Sequence, residues 1–150
     1  MVNRPITEQL KLWESIDVDV WQSAHVKTIR LPEKLSSLRQ KLYHKAKQEP
    51  KFRFYVLYDR IYRRDVLTSA YRIARAKRGA GGVDGVSFEQ IEAREGGVEA
   101  FVAEIHESLR SKQHRASAVR RVYIPKPDGR KRPLGIPTVT DRVVQAALRM

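Results

Sequence analysis

Val119-Arg120-Arg121-Val122-Tyr123-Ile124-Pro125-Lys126-Pro127-Asp128-Gly129-Arg130-Lys131-Arg132-Pro133-Leu134-Gly135-Ile136-Pro137 is the stretch on which the fold turns. From Ala118 the pattern has a period of two: Arg120, Val122 and Ile124 fall on one side of an extended chain, and Val119, Arg121 and Tyr123 on the other. Pro127-Asp128-Gly129 supplies turn chemistry, and Arg130 to Ile136 returns as a second strand. Pro133 has no N–H to give a ladder, which puts that strand at an edge or a bulge. The stretch therefore predicts a basic antiparallel β-hairpin. Both of its sides carry apolar residues, so each is expected to be covered somewhere. Beyond it, Thr140 or Asp141 is expected to start a helix whose apolar residues are Val143, Val144, Ala147 and Leu148. At Met150 that apolar face has just begun, and nothing in the sequence is expected to have covered it yet.

Upstream the period changes to that of a helix. Val98, Phe101, Val102, Ile105 and Leu109 form one stripe with Glu99 and Glu104 opposite, and Ser87 with Gln90 fits a capping box at the start of a shorter helix. Between 79 and 85, Gly-Ala-Gly-Gly-Val-Asp-Gly must be a loop, since each glycine inside a helix costs about 1 kcal/mol. Asp65 is placed to cap a helix burying Val66, Ala70, Ile73 and Ala74. Phe52, Tyr55, Val56 and Tyr62 suggest another helix, broken near Arg63 and Arg64. Pro32 suits the first turn of a helix with the stripe Leu35, Leu38, Leu42 and Ala46, which ends before Pro50. Ile6, Leu10, Trp13 and Ile16 suggest a first helix after Pro5, and 18–31 is left unassigned. The fold class is α+β, mainly helical with one small antiparallel hairpin.

The chain has 150 residues and a formal charge of +13, which suits one domain or a piece of a larger one. There is no cysteine, so disulfides, thiolate zinc sites and thiol nucleophiles are excluded. No apolar run approaches the roughly 20 residues of a membrane span, and Met1 to Leu10 has no signal-peptide core, so a cytoplasmic protein without a membrane partner is expected. Charge is blocked along the chain. Residues 1–36 hold five acids and five bases, and 37–80 thirteen bases against three acids. Residues 81–109 hold seven acids with Arg94 alone, and 110–150 eleven bases against Asp128 and Asp141. Both basic blocks are interleaved with apolar residues at regular spacing, so they read as folded surfaces rather than tails. Nucleic acid is the first candidate partner.

The hairpin stretch, continued through Thr138-Val139 and Asp141-Arg142-Val143-Val144-Gln145, closely resembles the first fingers block of group II intron reverse transcriptases. Residues 79–89 resemble the glycine loop and following helix of the amino-terminal extension in the same proteins, and residues 58–67 the helix pair before it. The resemblance covers roughly 37–150, and 1–36 match nothing. It divides the chain into an unmatched segment 1–36, a basic helical extension with a glycine lid loop 37–86, and a fingers region 87–150, a fragment of a right-hand polymerase that stops before the palm. Members commonly have a Tyr and two prolines just before the Val-Arg-Arg run, where this chain has His114, Ala116 and Ala118.

The resemblance implies that Lys126 and Arg132 hold the triphosphate of an incoming nucleotide. It also implies that Arg120, with Arg121 on the opposite side of the strand, contacts the template, and that Leu134, Gly135, Ile136 and Pro137 form the floor beneath the templating base. Gly79, Gly81, Gly82 and Gly85 would belong to a lid over the template-primer path. The partners implied are intron RNA, an RNA template with a DNA primer and, in the complete enzyme, a deoxynucleoside triphosphate. Mg2+ is expected only in the complete enzyme, because the two-metal mechanism needs palm aspartates that this chain lacks; no catalytic or metal-binding residue is assigned, and no polymerase activity is expected of the chain by itself. Asp17-Val18-Asp19 is the nearest pair of acids and reads as surface. His25, His44, His106 and His114 have no ligand spacing and read as ordinary surface or helix residues.

Plainer readings stand beside these. Lys126 and Arg132 can be a solvated hairpin tip, Arg120 can pair with the acids of 87–109, Leu134 to Pro137 can be ordinary strand packing, and Gly79 can be a helix C-cap. Tyr43, Tyr55, Tyr58 and Tyr71 lie among the cations of 37–80, a mixture that suits RNA, although several of them must be core. Two other functions compete: a free-standing basic RNA-binding module, and a non-functional remnant of a mobile element.

Overall fold

The computed structural model describes residues 29–77 and 79–150. The order is α1 (Glu33–Gln48), α2 (Tyr58–Ile61), α3 (Arg64–Ala76), α4 (Phe88–Ala93), α5 (Gly97–Arg110), β1 (Arg120–Pro125), β2 (Lys131–Ile136) and α6 (Val139–Arg149). The fold is α+β, mainly helical with one two-stranded antiparallel sheet among the described residues. Leu31–Met150 forms one compact unit, and of the other, Met1–Arg30, only residues 29 and 30 are described. The helix expected around Ile6 to Ile16 lies outside the described residues, as do Asp17, Asp19 and His25.

α3 is the centre of the core. It packs on α5 and on α6, so the face of α6 expected to be uncovered is buried at Val143, Val144 and Ala147, with Leu148 exposed, and α4 closes against α5. Leu67, Ala70 and Val143 are fully buried where these helices meet, with Phe88, Ile91, Ile105 and Val139 around them. A leucine or valine so placed contributes about 1.5–3 kcal/mol relative to exposure. Tyr71 stands edge-on to Phe88 and Phe101, at 5.6 and 5.8 Å between ring centres, and its hydroxyl donates to Glu92 Oε1 at 3.1 Å. Burial and that carboxylate push the Tyr71 phenol up to about 12. The stripe on α5 is buried at Phe101, Val102, Ile105 and Leu109, with Val98 half-buried. The capping box of α4 is present: Ser87 accepts from the Gln90 N–H at 3.2 Å, and Gln90 Oε1 accepts from the Ser87 N–H at 2.8 Å.

Several local expectations are corrected. Residues 52–57 are not helical; only Tyr58–Ile61 is, because Phe52, Tyr55 and Val56 are exposed and no buried stripe forms there. Arg63, not Asp65, is the N-cap of α3; the Asp65 carboxylate sits inside the first turn, accepting from the Val66 N–H and from the Arg63 guanidinium. On α6 the cap is Thr138, whose hydroxyl accepts from the Asp141 N–H at 3.2 Å. Pro32 is the N-cap of α1 rather than its first-turn residue, and only Leu35 of the α1 stripe is buried, with Ala46 exposed. The hairpin is not covered: all of β1, and all of β2 except the half-buried Ile136, is exposed. It projects from the helical body, and no described helix is laid against either of its sides.

Candidate nucleic-acid interface

The hairpin geometry follows from its turn. Lys126 N–H donates to Arg130 O at 2.8 Å and Gly129 N–H to Lys126 O at 3.0 Å, with Gly129 at φ +78°, a backbone that L side chains resist. Pro127 provides the fixed φ of the turn's second position. Counting outward from Lys126 and Arg130, ladder bonds alternate so that Pro125 and Pro133 fall where an N–H would point away from the partner strand. Both prolines are therefore tolerated, and they hold the register.

That register sorts the cations. Arg121 faces Gly135, Tyr123 faces Pro133, and Ile124 faces Arg132. Alternation then puts Arg120, Val122, Ile124 and Lys126 on one side with Arg132, Leu134 and Ile136, and Arg121, Tyr123 and Lys131 on the other. Lys126 and Arg132 are diagonal neighbours on one side, at a backbone spacing of roughly 7–8 Å. Gly135 lies opposite Arg121, under Val119: a Cβ added there would meet Val119 Cγ2 at 3.0 Å. The floor residues are thus split, Leu134 and Ile136 on the Lys126 side and Gly135 on the other, with Pro137 half-buried past the strand end.

Arg130 is held by Asp128 at 3.0 Å. The other five hairpin cations, Arg120, Arg121, Lys126, Lys131 and Arg132, are exposed and make no ion pair with any described residue. The ion pair considered for Arg120 with the acidic helices is not formed. Those acids serve cations of the helical body instead: Arg75 reaches Glu89 and Glu92 at 3.0 and 2.9 Å, Arg94 reaches Glu104 at 3.0 Å, and Arg110 reaches Glu107 at 3.1 Å. Arg110 holds the Glu107 carboxyl below its usual range, and the Glu89 backbone N–H, with the Ser87 hydroxyl, does the same for the Glu89 carboxyl. Val122, Ile124 and Leu134, apolar and exposed, fill the space between Arg120, Lys126 and Arg132. A surface of apolar floor and unpaired cations is suited to a base and its phosphates.

The base of the hairpin is anchored by groups that sequence reading did not single out. Asp141 is buried, and its carboxylate accepts from the Thr138 hydroxyl and from the Ser117 N–H, both at 2.9 Å, with His114 Nε2 at 3.4 Å. His114 is thus a half-buried partner of a buried acid, not an ordinary surface residue. His106 Nδ1 likewise lies 2.7 Å from Tyr62 O. The only hint in the sequence was Thr138 three residues before Asp141.

The glycine loop rests on this same base. Gly82 is buried, and a Cβ there would come within 2.6 Å of Thr138 Cα, so only glycine allows the approach. Gly79 lies beside the Arg142 guanidinium, Gly81 is half-buried, and Gly85 donates to Gly82 O at 3.2 Å. Asp84 is a turn residue, accepting from the Val86 N–H. The Gly85 amide, and that of Val86 just past the loop, are therefore already used internally.

A second cationic surface is formed by α1, α2, the segment between them and the first residue of α3. Lys34, Arg39, Lys41, Lys51, Arg53, Arg60 and Arg64 are exposed there and have no carboxylate partner among the described residues, while Tyr43 and Tyr55 are exposed aromatics. Tyr71 is core, and the Tyr58 hydroxyl is tied to Leu109 O at 2.6 Å. Leu35 and Leu42 of α1 line an apolar groove of about 140 Å³ with Ala147 and Met150 at the end of α6. The hairpin enters the other end of α6. An 11-residue helix spans about 16 Å, which sets the hairpin base and this groove at its opposite ends. Among the described residues no group of His, Asp and Glu could hold a metal ion, and no helix is long and apolar enough to cross a membrane.

Comparison with known proteins bears on the class to which this interface belongs. No family model matches the chain. It is similar to the group II intron-encoded protein LtrA of Lactococcus lactis subsp. cremoris, with 35% identity over 95 residues, 63% of this chain and 15% of that protein. It is also similar to Protein YkfC of Escherichia coli (strain K12), with 38% identity over 118 residues, 77% of this chain and 30% of YkfC. The matched stretch spans less than a third of either relative's length. The LtrA match supports a relation to the group II intron-encoded proteins.

Proposed function

We propose that this chain is the RNA- and template-gripping part of a group II intron-encoded reverse transcriptase and maturase. The observation that carries the reading is the side of the hairpin on which Arg120, Lys126 and Arg132, all without acidic partners among the described residues, flank an exposed apolar floor. Lys126 and Arg132 hold the triphosphate of the incoming nucleotide, the ammonium as a point charge and the guanidinium as a fork. Arg120 and the floor residues Leu134 and Ile136 meet the template strand, and the α1–α2 surface takes intron RNA. On this reading the metals of polymerisation are held by other parts of a complete enzyme, and no step of the chemistry is assigned to this stretch.

The test is made in a complete enzyme that carries this hairpin. Lys126→Ala and Arg132→Ala should each raise the Michaelis constant for nucleotide by about ten- to a hundredfold, the worth of one charge-assisted contact of roughly 1.5–3 kcal/mol, with little change in RNA affinity. Equal losses in template affinity at an unchanged nucleotide Michaelis constant would assign the hairpin to the template instead.

A further inference from the structure

We propose that Arg142 is a positioning residue that fastens the glycine loop to the base of the hairpin, so that loop and hairpin meet RNA as one surface. The proposal rests on the template-gripping reading above. Arg142 belongs to the first turns of α6, yet its guanidinium is not aimed at a carboxylate. Its Nε donates to Pro137 O at 3.1 Å, immediately past β2, and its Nη2 donates to Ala80 O in the glycine loop, 62 residues away in sequence. One planar fork thus bridges two backbone carbonyls on separate segments, which a lysine, with a single nitrogen, cannot reproduce at both places. The second attachment is steric: Gly82 is seated on the Thr138 backbone with no room for a Cβ. Thr138 is itself tied to the buried Asp141, which also holds Ser117 before β1. The loop, the entry to β1 and the exit from β2 therefore converge on the first turn of α6. Arg142 is the member of that junction whose side chain reaches the loop.

The loop has few other fastenings. Of its residues 79–85 only Gly82 is buried, and Val83 is exposed. A segment so sparsely packed opens locally at low cost, and one charge-assisted contact weighs heavily on its closed population. Arg142 is half-buried beneath it, which suits a strut better than a group reaching outward for phosphate.

Hydrogen exchange on the full chain tests this directly, with Arg142→Ala and Arg142→Lys as the variants and Gly82→Ala as an independent way to unseat the loop. In all three the protected amides of the loop, those of the buried Gly82 and of Gly85, which is bonded to Gly82 O, should exchange at least about tenfold faster while those of Val143 to Ala147 keep their protection. RNA bearing a photoactivatable thiouridine supplies the second readout. Crosslinks to 79–85 should fall several-fold in each variant while crosslinks to the hairpin are retained, a change of ratio that general destabilisation does not produce. Unchanged loop exchange in the Arg142 variants, or equal acceleration through α6, would overturn the strut. Recovery of loop crosslinks by Arg142→Lys would also overturn it, since charge alone would then suffice and Arg142 would be touching RNA. The exchange arm uses no RNA, so it judges the strut even if wild-type chain fails to bind RNA, an outcome that removes the template-gripping reading alone.

Discussion

Replacing hairpin cations one at a time should separate its two sides through the salt dependence of RNA binding. Each phosphate neutralised on a single strand adds about 0.7 to the slope of log affinity against log salt. If RNA lies only on the side of Arg120, Lys126 and Arg132, the hairpin contributes a slope of about −2, and affinity falls about twentyfold between 50 and 200 mM salt. If RNA wraps both sides and engages Arg121 and Lys131 as well, the slope is about −3.5 and the fall about a hundredfold. The α1–α2 cations add their own slope, so variants are compared with wild type rather than with zero. Fluorescence anisotropy of a short labelled oligoribonucleotide at five or so salt concentrations measures it. In this assay no nucleotide occupies Lys126 and Arg132, so both are open to phosphates of the oligoribonucleotide. Arg120→Ala, Lys126→Ala and Arg132→Ala should each flatten the slope by about 0.7, and Arg121→Ala and Lys131→Ala should leave it nearly unchanged. Equal flattening by Arg121→Ala and Lys131→Ala would refute the one-sided arrangement. A wild-type affinity indifferent to salt would refute RNA binding through these charges altogether.

Other expectations concern the frame that holds the hairpin. Leu67→Ala, at the fully buried contact of α3 with its neighbours, should lower unfolding free energy by about 2–5 kcal/mol in a denaturant melt. Ser87→Ala should cost about 1 kcal/mol by losing the α4 cap, and Ser87→Asp, which keeps an acceptor, should cost less. The Tyr71 phenol, ordinarily near 10, is raised to about 12 in the folded chain, so its contribution is complete below pH 10 and is lost as pH rises towards 12. That loss approaches about 2–3 kcal/mol, and Tyr71→Phe should remove this part of the alkaline decline as followed by thermal melts.

Much of this molecule was legible in its sequence because the signals are local. A period-two run broken by Pro127-Asp128-Gly129 can only be a hairpin, since the turn chemistry and the strand pattern act over neighbouring residues. The same holds for the Ser87–Gln90 box and for the stripe from Phe101 to Leu109. The side-sharing of Arg120, Lys126 and Arg132 also follows once the turn sets the register. Where the sequence misled, competition between equally suitable residues was at fault. Asp65 is a good cap, but the cap falls two residues earlier, at Arg63, and Thr138 supplies the α6 cap that Thr140 and Asp141 could equally have supplied.

Tertiary structure decided what depends on groups far apart in the chain. Alternation on β1 said that both sides could be buried, and only the placement of the helices left them exposed. Charge counting allowed Arg120 to pair with the acidic helices, and only the path of the chain gave those acids to Arg75, Arg94 and Arg110. The seat of Gly82 on Thr138 and the span of Arg142 to Ala80 join residues more than fifty positions apart, and no periodicity or propensity carries such a distance. Local chemistry therefore determined the hairpin and its cations, while packing around α6 determined which neighbours those cations were left without, because pairing and burial are settled by proximity in space and not along the chain.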